Sequence, residues 1–465
     1  MRVKCLHTLA EVAALRIPID ALNFASTRPD PFSTCEYYET LLRGWEAMND
    51  TARPRVWFLA AFLDEELVGY LALKESTRKV LGCRVRTIDC LVEHDADRPH
   101  VVAKTEQADT VTEGFYVYLL GRKREWDLLE LQQQDAASTL YPPPRAIHLK
   151  GCWVRRWPNM DNCTISIRWN TLPQYLKELS KKVRSNSQRQ LRKLLASGNA
   201  EWLTSSDPLS TPALLELYCG IESRSWKAKT DLAIGTDSER LRHFQRLLNA
   251  RQPLQIAIQI LLLDSVPVAG LINGSFQGPT AKGLYALQIV FDDRFCSASP
   301  GSAILLLGIR HAIIGHYAFF NLLSGFGYYK ERWLAQTTAT HCVQIYRIGS
   351  IVFWRRLFGD VQRWLFARIP HHGSDSAQAF NPRRRGETDS APEQSETGQK
   401  TDITSQERGN FAKLIAQARE GQCELLSAPE LAETLLLFTE KSAAARPAKY
   451  HVISEATAAR RIGAM

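Results

Sequence analysis

The sequence has none of the short motifs that identify the common nucleotide-, zinc- or serine-dependent enzymes. No P-loop, no GxGxxG, no HExxH and no nucleophile elbow occur in its 465 residues. Its 10 cysteines are isolated, without a CxxC pair or a Cys/His set at zinc spacing. We therefore expect no metal centre and no disulfide framework, but reduced thiols in a cytoplasmic protein.

Long apolar runs are also missing. The longest is interrupted by Arg310 and His316, which predicts a buried helix leading into a strand and not a membrane span. The first residues include Glu11, Arg16 and Asp20, so no signal peptide is predicted. The net charge of +9 is moderate and no nucleic-acid-binding motif accompanies it, so no DNA partner is predicted.

What the sequence does contain is one pattern that occurs twice. An apolar segment, an acidic turn and a second apolar segment predict a β-hairpin in each half, and a further short apolar strand follows each hairpin. The matching segments are VWFLAA (56–61), VGYLAL (68–73) and WDLLEL (126–131), then LQIAIQILLL (254–263), VAGLI (268–272) and FFNLL (319–323). This repetition predicts two related α/β domains in tandem.

The chain divides into five predicted segments. The two domains are expected over 1–150 and 151–349, and a basic amphipathic helix over 350–370. A region rich in Ser, Gly, Pro, Arg and Glu predicts a disordered linker over 371–410. Weak helical patterning is expected over 411–465.

The best candidate for chemistry is the loop Ser299-Pro300-Gly301-Ser302-Ala303, between a predicted strand and a predicted helix. Small residues that open a helix expose backbone N–H groups at the positive end of its dipole, which suits a pyrophosphate. An ordinary capped turn is the alternative interpretation.

Two further segments supply candidate side chains. Tyr329, Lys330 and Trp333 follow a predicted strand, where a pocket is expected in this class of sheet. Glu222 and Trp226 lie at a predicted helix end, and Glu222 is the candidate proton acceptor. Packing aromatics, a surface lysine and a solvated helix end are the alternatives.

Two amphipathic helices are predicted outside these segments. The first, over 172–197, carries Lys181, Lys182, Arg184, Arg189, Arg192 and Lys193. It predicts contact with a phosphate, an acidic glycan, a nucleic acid or anionic lipid, or simply a solvated face. The second, over 350–369, has Trp354 and Trp364 on its apolar face. It predicts either peripheral contact with a membrane or packing on the second domain.

In their order and spacing, these segments resemble a known family. They are PFSTCEYYETLLRGW, DEELVGYLAL, WDLLEL, LSKKVRSNSQRQLRK, IESRSWK, DSVPVAG, SPGSAILLLGIRHAI, FFNLLSG and YYKERW. Together they resemble the bacterial acetyltransferase-like proteins of the cellulose-biosynthesis (CelD/BcsL) type in the GNAT superfamily, which are similar to the FemABX transferases.

The resemblance implies two tandem GNAT-like domains with mixed sheets flanked by helices, the first of them degenerate. It implies acyl transfer from acetyl-CoA or another acyl-CoA to an amine or hydroxyl of a cell-envelope or exopolysaccharide acceptor. Gly301 and Ala303 fit the G-x-A part of the family's phosphate signature, while Ala298 stands where Gln or Arg is usual. An aminoacyl-tRNA donor therefore stays open.

The resemblance also suggests roles for the candidate residues. Glu222 would accept a proton, and Tyr285 or Tyr329 would donate one. Lys330 would make an electrostatic contact, and Trp226 and Trp333 would bind the acceptor. The alternatives are a FemABX-like aminoacyl-tRNA-dependent transferase and a non-catalytic scaffold of a polysaccharide synthesis complex at the inner membrane.

Overall fold

The computed structural model describes residues 1–46, 48, 53–93, 96–143, 150–230, 232–249, 253–325, 330–366 and 403–436. Within these ranges the chain forms two mixed β-sheets flanked by helices. The predicted α/β fold class is confirmed.

The first sheet contains eight strands, numbered here in chain order. They are β1 (Arg2–Leu6), β2 (Arg55–Leu63), β3 (Glu66–Val80), β4 (Cys83–Cys90), β5 (Val102–Ala103), β6 (Leu128–Gln134), β7 (Cys152–Pro158) and β15 (His341–Arg347). Their order is β1-β2-β3-β4-β6-β15-β7, and β5 pairs with β3. Only the β4–β6 pair is parallel among these described strands.

The second sheet also contains eight described strands. They are β8 (Asn162–Ser166), β9 (Ala200–Ser205), β10 (Leu254–Leu263), β11 (Val266–Gln277), β12 (Lys282–Phe291), β13 (Phe319–Ser324), β14 (Gln336–Thr338) and β16 (Glu424–Leu426). Their order is β14-β8-β13-β12-β11-β10-β9-β16, with β12 and β13 parallel.

Helices cover both sheets. They are α1 (Leu9–Ala13), α2 (Arg16–Ala25), α3 (Cys35–Glu46), α4 (Ala108–Gly121), α5 (Leu172–Glu178), α6 (Lys181–Ala196), α7 (Thr211–Glu222), α8 (Ser238–Leu248), α9 (Pro300–Ile314), α10 (Ile351–Phe366), α11 (Ser405–Glu420) and α12 (Ala428–Leu436). The basic helix predicted over 172–197 is thus two helices, and Ser180 caps the second by accepting the N–H of Val183.

The repeated hairpin is present in both sheets with the same turn and the same irregularity. Asp64 and Glu65 of the first turn, like Asp264 and Ser265 of the second, have positive φ angles, the geometry of a two-residue hairpin turn. In each hairpin the register shifts two residue pairs before the turn, at Ala61/Phe62 and at Leu261/Leu262. A third antiparallel strand, a helix and a parallel strand then follow in both units.

The two sheets do not divide the chain at residue 150. Strand β7 lies in the first sheet, although it follows the predicted boundary. Strand β15 returns from the end of the second unit and lies between β6 and β7. The first unit is therefore assembled from two separate stretches of chain.

The two units share a hydrophobic core. Tyr37 of α3 packs edge-on against His243 of α8, with ring centroids 5.8 Å apart, and Phe32 meets Tyr285 of β12 at 5.7 Å. The core cluster that contains Phe32 includes buried residues of both sheets. Burial of these aromatic side chains stabilises the pairing of the units.

The carboxyl-terminal segment belongs to the second unit. Helix α11 packs on α7 through Phe411, and β16 pairs with β9 at the edge of the sheet. Most of the linker predicted over 371–410 lies outside the described residues, which resume at 403, whereas α11 begins inside the region predicted as linker. No helix in the described ranges is long and apolar enough to cross a membrane.

Helix α10 packs on the first sheet and not on the second domain, which corrects one of the two sequence interpretations. Val352 and Phe353 are buried against Val85 and Tyr346. Leu357 also packs on this side of the helix. The opposite face is exposed.

Candidate active site

The site begins where the two parallel strands of the second sheet separate. Strands β12 and β13 pair at Gly283–Phe319, Leu284–Phe320 and Tyr285–Asn321, and no later pairing occurs in the described residues. Just beyond this point β12 has a register shift against β11, which leaves Leu287 without an opposed residue. An extra residue of this kind bends a strand, so β12 turns away from β13 and a notch opens between them.

Helix α9 begins at the open end of this notch. Ser299 is in the left-handed conformation, with φ 52°, and no side-chain cap closes the helix start. Ser299, Gly301 and Ser302 are partly accessible, while Pro300 and Ala303 are buried. Pro300 has no N–H, and the N–H groups of Ser302 and Ala303 donate to the carbonyl of Ser299 at 3.0 and 3.4 Å. In this first turn the N–H of Gly301 is therefore the group that can donate to an anion, at the positive end of the helix dipole.

Only glycine fits at position 301 without a shift of its neighbour. A Cβ atom there would lie 2.9 Å from Cδ1 of Phe291, at the end of β12. The helix start and the end of β12 therefore approach each other closely.

A buried carboxylate holds the loop between β12 and α9. Asp292 has no exposed surface and accepts from Nε of Arg224 at 2.7 Å and from Nη2 of Arg294 at 2.7 Å. Arg224 also donates to the carbonyl of Pro267 at 3.1 Å. The IESRSWK segment is thereby connected to the stretch that leads into the candidate phosphate loop, because its arginine pairs with Asp292, the first residue after β12.

Glu222 and Lys227 form a buried polar cluster under the bulge of β12. Oε2 of Glu222 accepts from the N–H groups of Ile234 at 2.7 Å and Gly235 at 3.2 Å. The Lys227 ammonium lies 3.7 Å from the other carboxylate oxygen and donates to Gln288 at 2.7 Å. Burial raises the pKa of Glu222 and lowers the pKa of Lys227 to about 8, since burial disfavours both charges.

A small polar cavity lies between the two units, where the notch closes. Tyr285 and Asn321, the last paired residues of β12 and β13, line it from the second unit. The first unit contributes charged side chains of both signs. They are Arg28, Asp30, Asp97 and Arg98.

In this cavity, Asp97 is the side chain best suited to accept a proton. One of its oxygens accepts from Nδ2 of Asn162, whose other contact is Oδ1 of Asn321 at 2.9 Å. Its second oxygen, Oδ1, is buried with no hydrogen-bond partner in the described part of the chain. Burial raises the pKa of Asp97, with Arg98 as the largest opposing influence. A buried carboxylate oxygen without a partner is suited to accept a proton.

The remaining charges of the cavity are fixed by hydrogen bonds. Arg28 donates to Asp135 at 2.7 Å and to the carbonyl of Arg98 at 2.6 Å. Burial raises the pKa of Asp30 to about 6, because the ionised carboxylate loses its hydration there.

Comparison with known proteins identifies the part of the chain that contains the notch. Residues 181–331 match the family described as acetyltransferase (GNAT) domain. No curated protein sequence matches the chain. The matched range runs from α6 through the uncapped start of α9 to the residue after Lys330, so the notch and its loop lie inside the GNAT domain.

The structure is similar to several solved structures at low sequence identity. FemX shares 11% identity over 74% of this chain and 97% of its own, with a TM-score of 0.46. A tandem GNAT protein from the clavulanic acid biosynthesis pathway shares 10% over 75% of this chain and 99% of its own, with a TM-score of 0.43. L-PGS from Bacillus licheniformis shares 11% over 74% and 95%, with a TM-score of 0.43.

Helix α6 opens the GNAT domain and lies beside its loop. It contacts both α9 and the short 3₁₀ helix Asp293–Ala298. Ser187, Leu191 and Leu194 face the core, so the cations point outward. Its exposed cations are Lys181, Lys182, Arg189, Arg192 and Lys193.

Lys330 lies at the end of β13 and is buried. Its ammonium donates to the carbonyls of Leu322 at 2.7 Å, Leu323 at 3.1 Å and Ser324 at 3.1 Å. An ammonium has three N–H donors, so these bonds hold the strand end in place. Burial lowers the pKa of Lys330.

The other predicted aromatic residues are dispersed. Trp333 is 1% exposed and its carbonyl accepts from Tyr175 at 2.8 Å, so it packs in the core. Trp226 is 46% exposed at the edge of the second unit. Tyr329 lies outside the described residues.

Sequence reasoning missed the contribution of the first unit to the site. Arg28, Asp30, Asp97 and Arg98 carry no motif, and the structure brings them to Tyr285 only by packing the two units together. Within the described ranges, no group of His, Cys, Asp and Glu is arranged to hold a metal ion.

Proposed function

We propose that the protein is a GNAT-type acyltransferase that uses an acyl-CoA thioester. The observation that carries this proposal is the divergence of β12 from β13 beside the uncapped start of α9. The free edge of β12 suits an extended pantetheine arm, because its backbone groups have no strand partner there. The start of α9 suits the pyrophosphate, and the match of residues 181–331 to the GNAT domain supports the same assignment.

In the proposed reaction, the acceptor nitrogen or oxygen attacks the thioester carbonyl carbon. The new C–N or C–O bond forms and the C–S bond breaks, so the acceptor loses a proton and the CoA thiolate gains one. We assign proton uptake to Oδ1 of Asp97 and proton delivery to the hydroxyl of Tyr285, because both side chains line the cavity where the strands diverge. Glu222 is the alternative proton acceptor.

Binding of acetyl-CoA to Ser302→Glu tests the donor site. A carboxylate in the first turn stabilises a helix, so loss of binding would not reflect unfolding. We expect calorimetry to show binding to the wild type and to the control Ser302→Gln. In Ser302→Glu, affinity should fall by about tenfold or more, because the new charge repels the pyrophosphate. Equal affinity in all three proteins would contradict the assignment.

A second candidate is an aminoacyl-tRNA-dependent transferase. The observation that favours it is the row of exposed cations on α6 beside the same loop. Under this alternative, tRNA would bind with a steep dependence on salt, and Arg189→Glu with Arg192→Glu would abolish that binding. Binding of acetyl-CoA without binding of tRNA would exclude it.

The acceptor is proposed from the resemblance to cellulose-biosynthesis proteins alone. We propose an amine or a sugar hydroxyl of a cell-envelope or exopolysaccharide component, and a cytoplasmic site of action. A screen of such acceptors by release of free CoA thiol would test this part.

A further inference from the structure

Helix α10 has two apolar faces, and only one of them is covered in the described structure. Val352, Phe353 and Leu357 pack on the first sheet. On the other side a stripe at helical spacing faces solvent, and Trp364 beside it is 52% exposed. The stripe consists of Ile351 (70% exposed), Trp354 (47%), Phe358 (61%) and Val361 (44%). A continuous apolar stripe of this size on a surface helix marks an interaction site.

The surroundings of this stripe are strongly basic. Arg355 donates to the carbonyl of Leu81 at 2.9 Å, which ties the helix to the β3–β4 turn. Lys79 and Arg84 flank that turn as an opposed pair on the two strands. Asp360, the single acidic residue of α10, is already engaged by cations. They are Arg155, Arg356 and Arg363.

We propose that α10 docks the protein on a membrane surface that contains anionic phospholipid. Tryptophan, phenylalanine and isoleucine suit the boundary between headgroups and acyl chains, and the basic residues suit the lipid phosphates. A second copy of the chain fits less well, because a symmetric contact through this stripe would bring the same cations of both copies together. The helix would lie in the interface plane, and the proposal is independent of the acyl-transfer reaction.

Vesicle flotation of the full-length protein tests this proposal. We expect the wild type to float with vesicles of phosphatidylcholine and phosphatidylglycerol in equal parts. Flotation should be weak with phosphatidylcholine alone, and high salt should reduce it. Trp354→Ser with Phe358→Ser should weaken binding by about tenfold or more, since both side chains are exposed and neither is among those that pack on the first sheet.

Two matched controls complete the experiment. Ile17→Ser with Leu209→Ser removes two apolar side chains elsewhere that are more exposed, at 82% and 75%, and should float like the wild type. Sedimentation equilibrium of the same proteins should show a monomer throughout. The proposal is overturned if the wild type does not float, if the Trp354/Phe358 variant floats equally well, or if that variant dissociates a wild-type dimer.

Discussion

At the scale of single residues, the candidate site contains side chains that belong to no recognisable sequence motif. Asp97 and Asn162 are far apart in the chain and meet only because the two units pack together. Lys330 was predicted to make an electrostatic contact with a ligand, yet its ammonium binds three carbonyls of β13. Whether a lysine binds a ligand or the carbonyls of its own chain depends on how deeply it is buried. A single sequence does not determine that burial.

Asp97→Asn should remove the proton acceptor and leave the donor site intact. We expect kcat to fall by about a hundredfold or more, while the affinity for acetyl-CoA stays unchanged. In the wild type, the rate should decline as pH falls through the raised pKa of Asp97, and this limb should disappear in the variant. Initial rates across pH provide the measurement.

Glu222→Gln is the matched comparison for that variant. Glu222 is buried and accepts two backbone N–H groups, so its replacement should mainly lower the free energy of unfolding. If Glu222→Gln abolished kcat and Asp97→Asn did not, the proton acceptor would be Glu222, as the sequence suggested.

Asp30→Asn should stabilise the protein at neutral pH. The pKa of Asp30 is raised from 3.8 to about 6 in the folded state. Because the folded state holds this proton more tightly, wild-type stability falls as pH rises from about 4 to about 6. The variant should gain at most about 3 kcal/mol near pH 7 and nothing below pH 4. Urea unfolding at several pH values measures the gain, and a gain that is constant with pH would contradict the explanation.

At the scale of elements, the hairpins were predictable because local chemistry determines them. The turn residues of a hairpin and the apolar strands beside them lie close together in the sequence, so they specify the hairpin locally. Both hairpins were located correctly. The positions of β15 and β16 were not predictable, since each pairs with a strand distant in sequence. Their pairing partners follow from packing of the whole sheet and not from any turn.

Phe411→Ala should loosen the carboxyl-terminal segment. Phe411 is 7% exposed on α11, and the guanidinium of Arg224 lies 5.1 Å from its ring centroid. Removal of a buried aromatic ring costs about 3 kcal/mol or more. We therefore expect a lower free energy of unfolding by chemical denaturation. Leu425→Ala, at an exposed position of β16, is the control and should change it by less than about 1 kcal/mol.

A Phe411→Ala variant as stable as the wild type would mean that α11 does not dock on α7 in solution. The edge of β9 would then be open to pairing with other chains, and light scattering of a variant truncated after residue 402 would show aggregation.

At the scale of the whole molecule, the two units are expected to unfold together. They share a hydrophobic core, and β15, which follows strands of the second unit in sequence, pairs in the first sheet. A fragment of residues 1–158 contains β6 and β7 but lacks β15, which lies between them. We expect this fragment alone to be unfolded or aggregated by circular dichroism and size-exclusion chromatography. A soluble, folded fragment would show that β7 can close the sheet without β15.

Because β15 pairs in the first sheet, it also determines when that sheet can be completed during translation. Strand β6 ends at Gln134, but its neighbour begins only at His341. At a translation rate of about 5–20 residues per second, β15 is synthesised on the order of 10–40 s after β6. During this interval the β6 edge of the first sheet is unpaired, while the hairpin of the second unit can already form. The first unit is therefore completed only after most of the second unit has been synthesised, and β16 completes the second sheet later still.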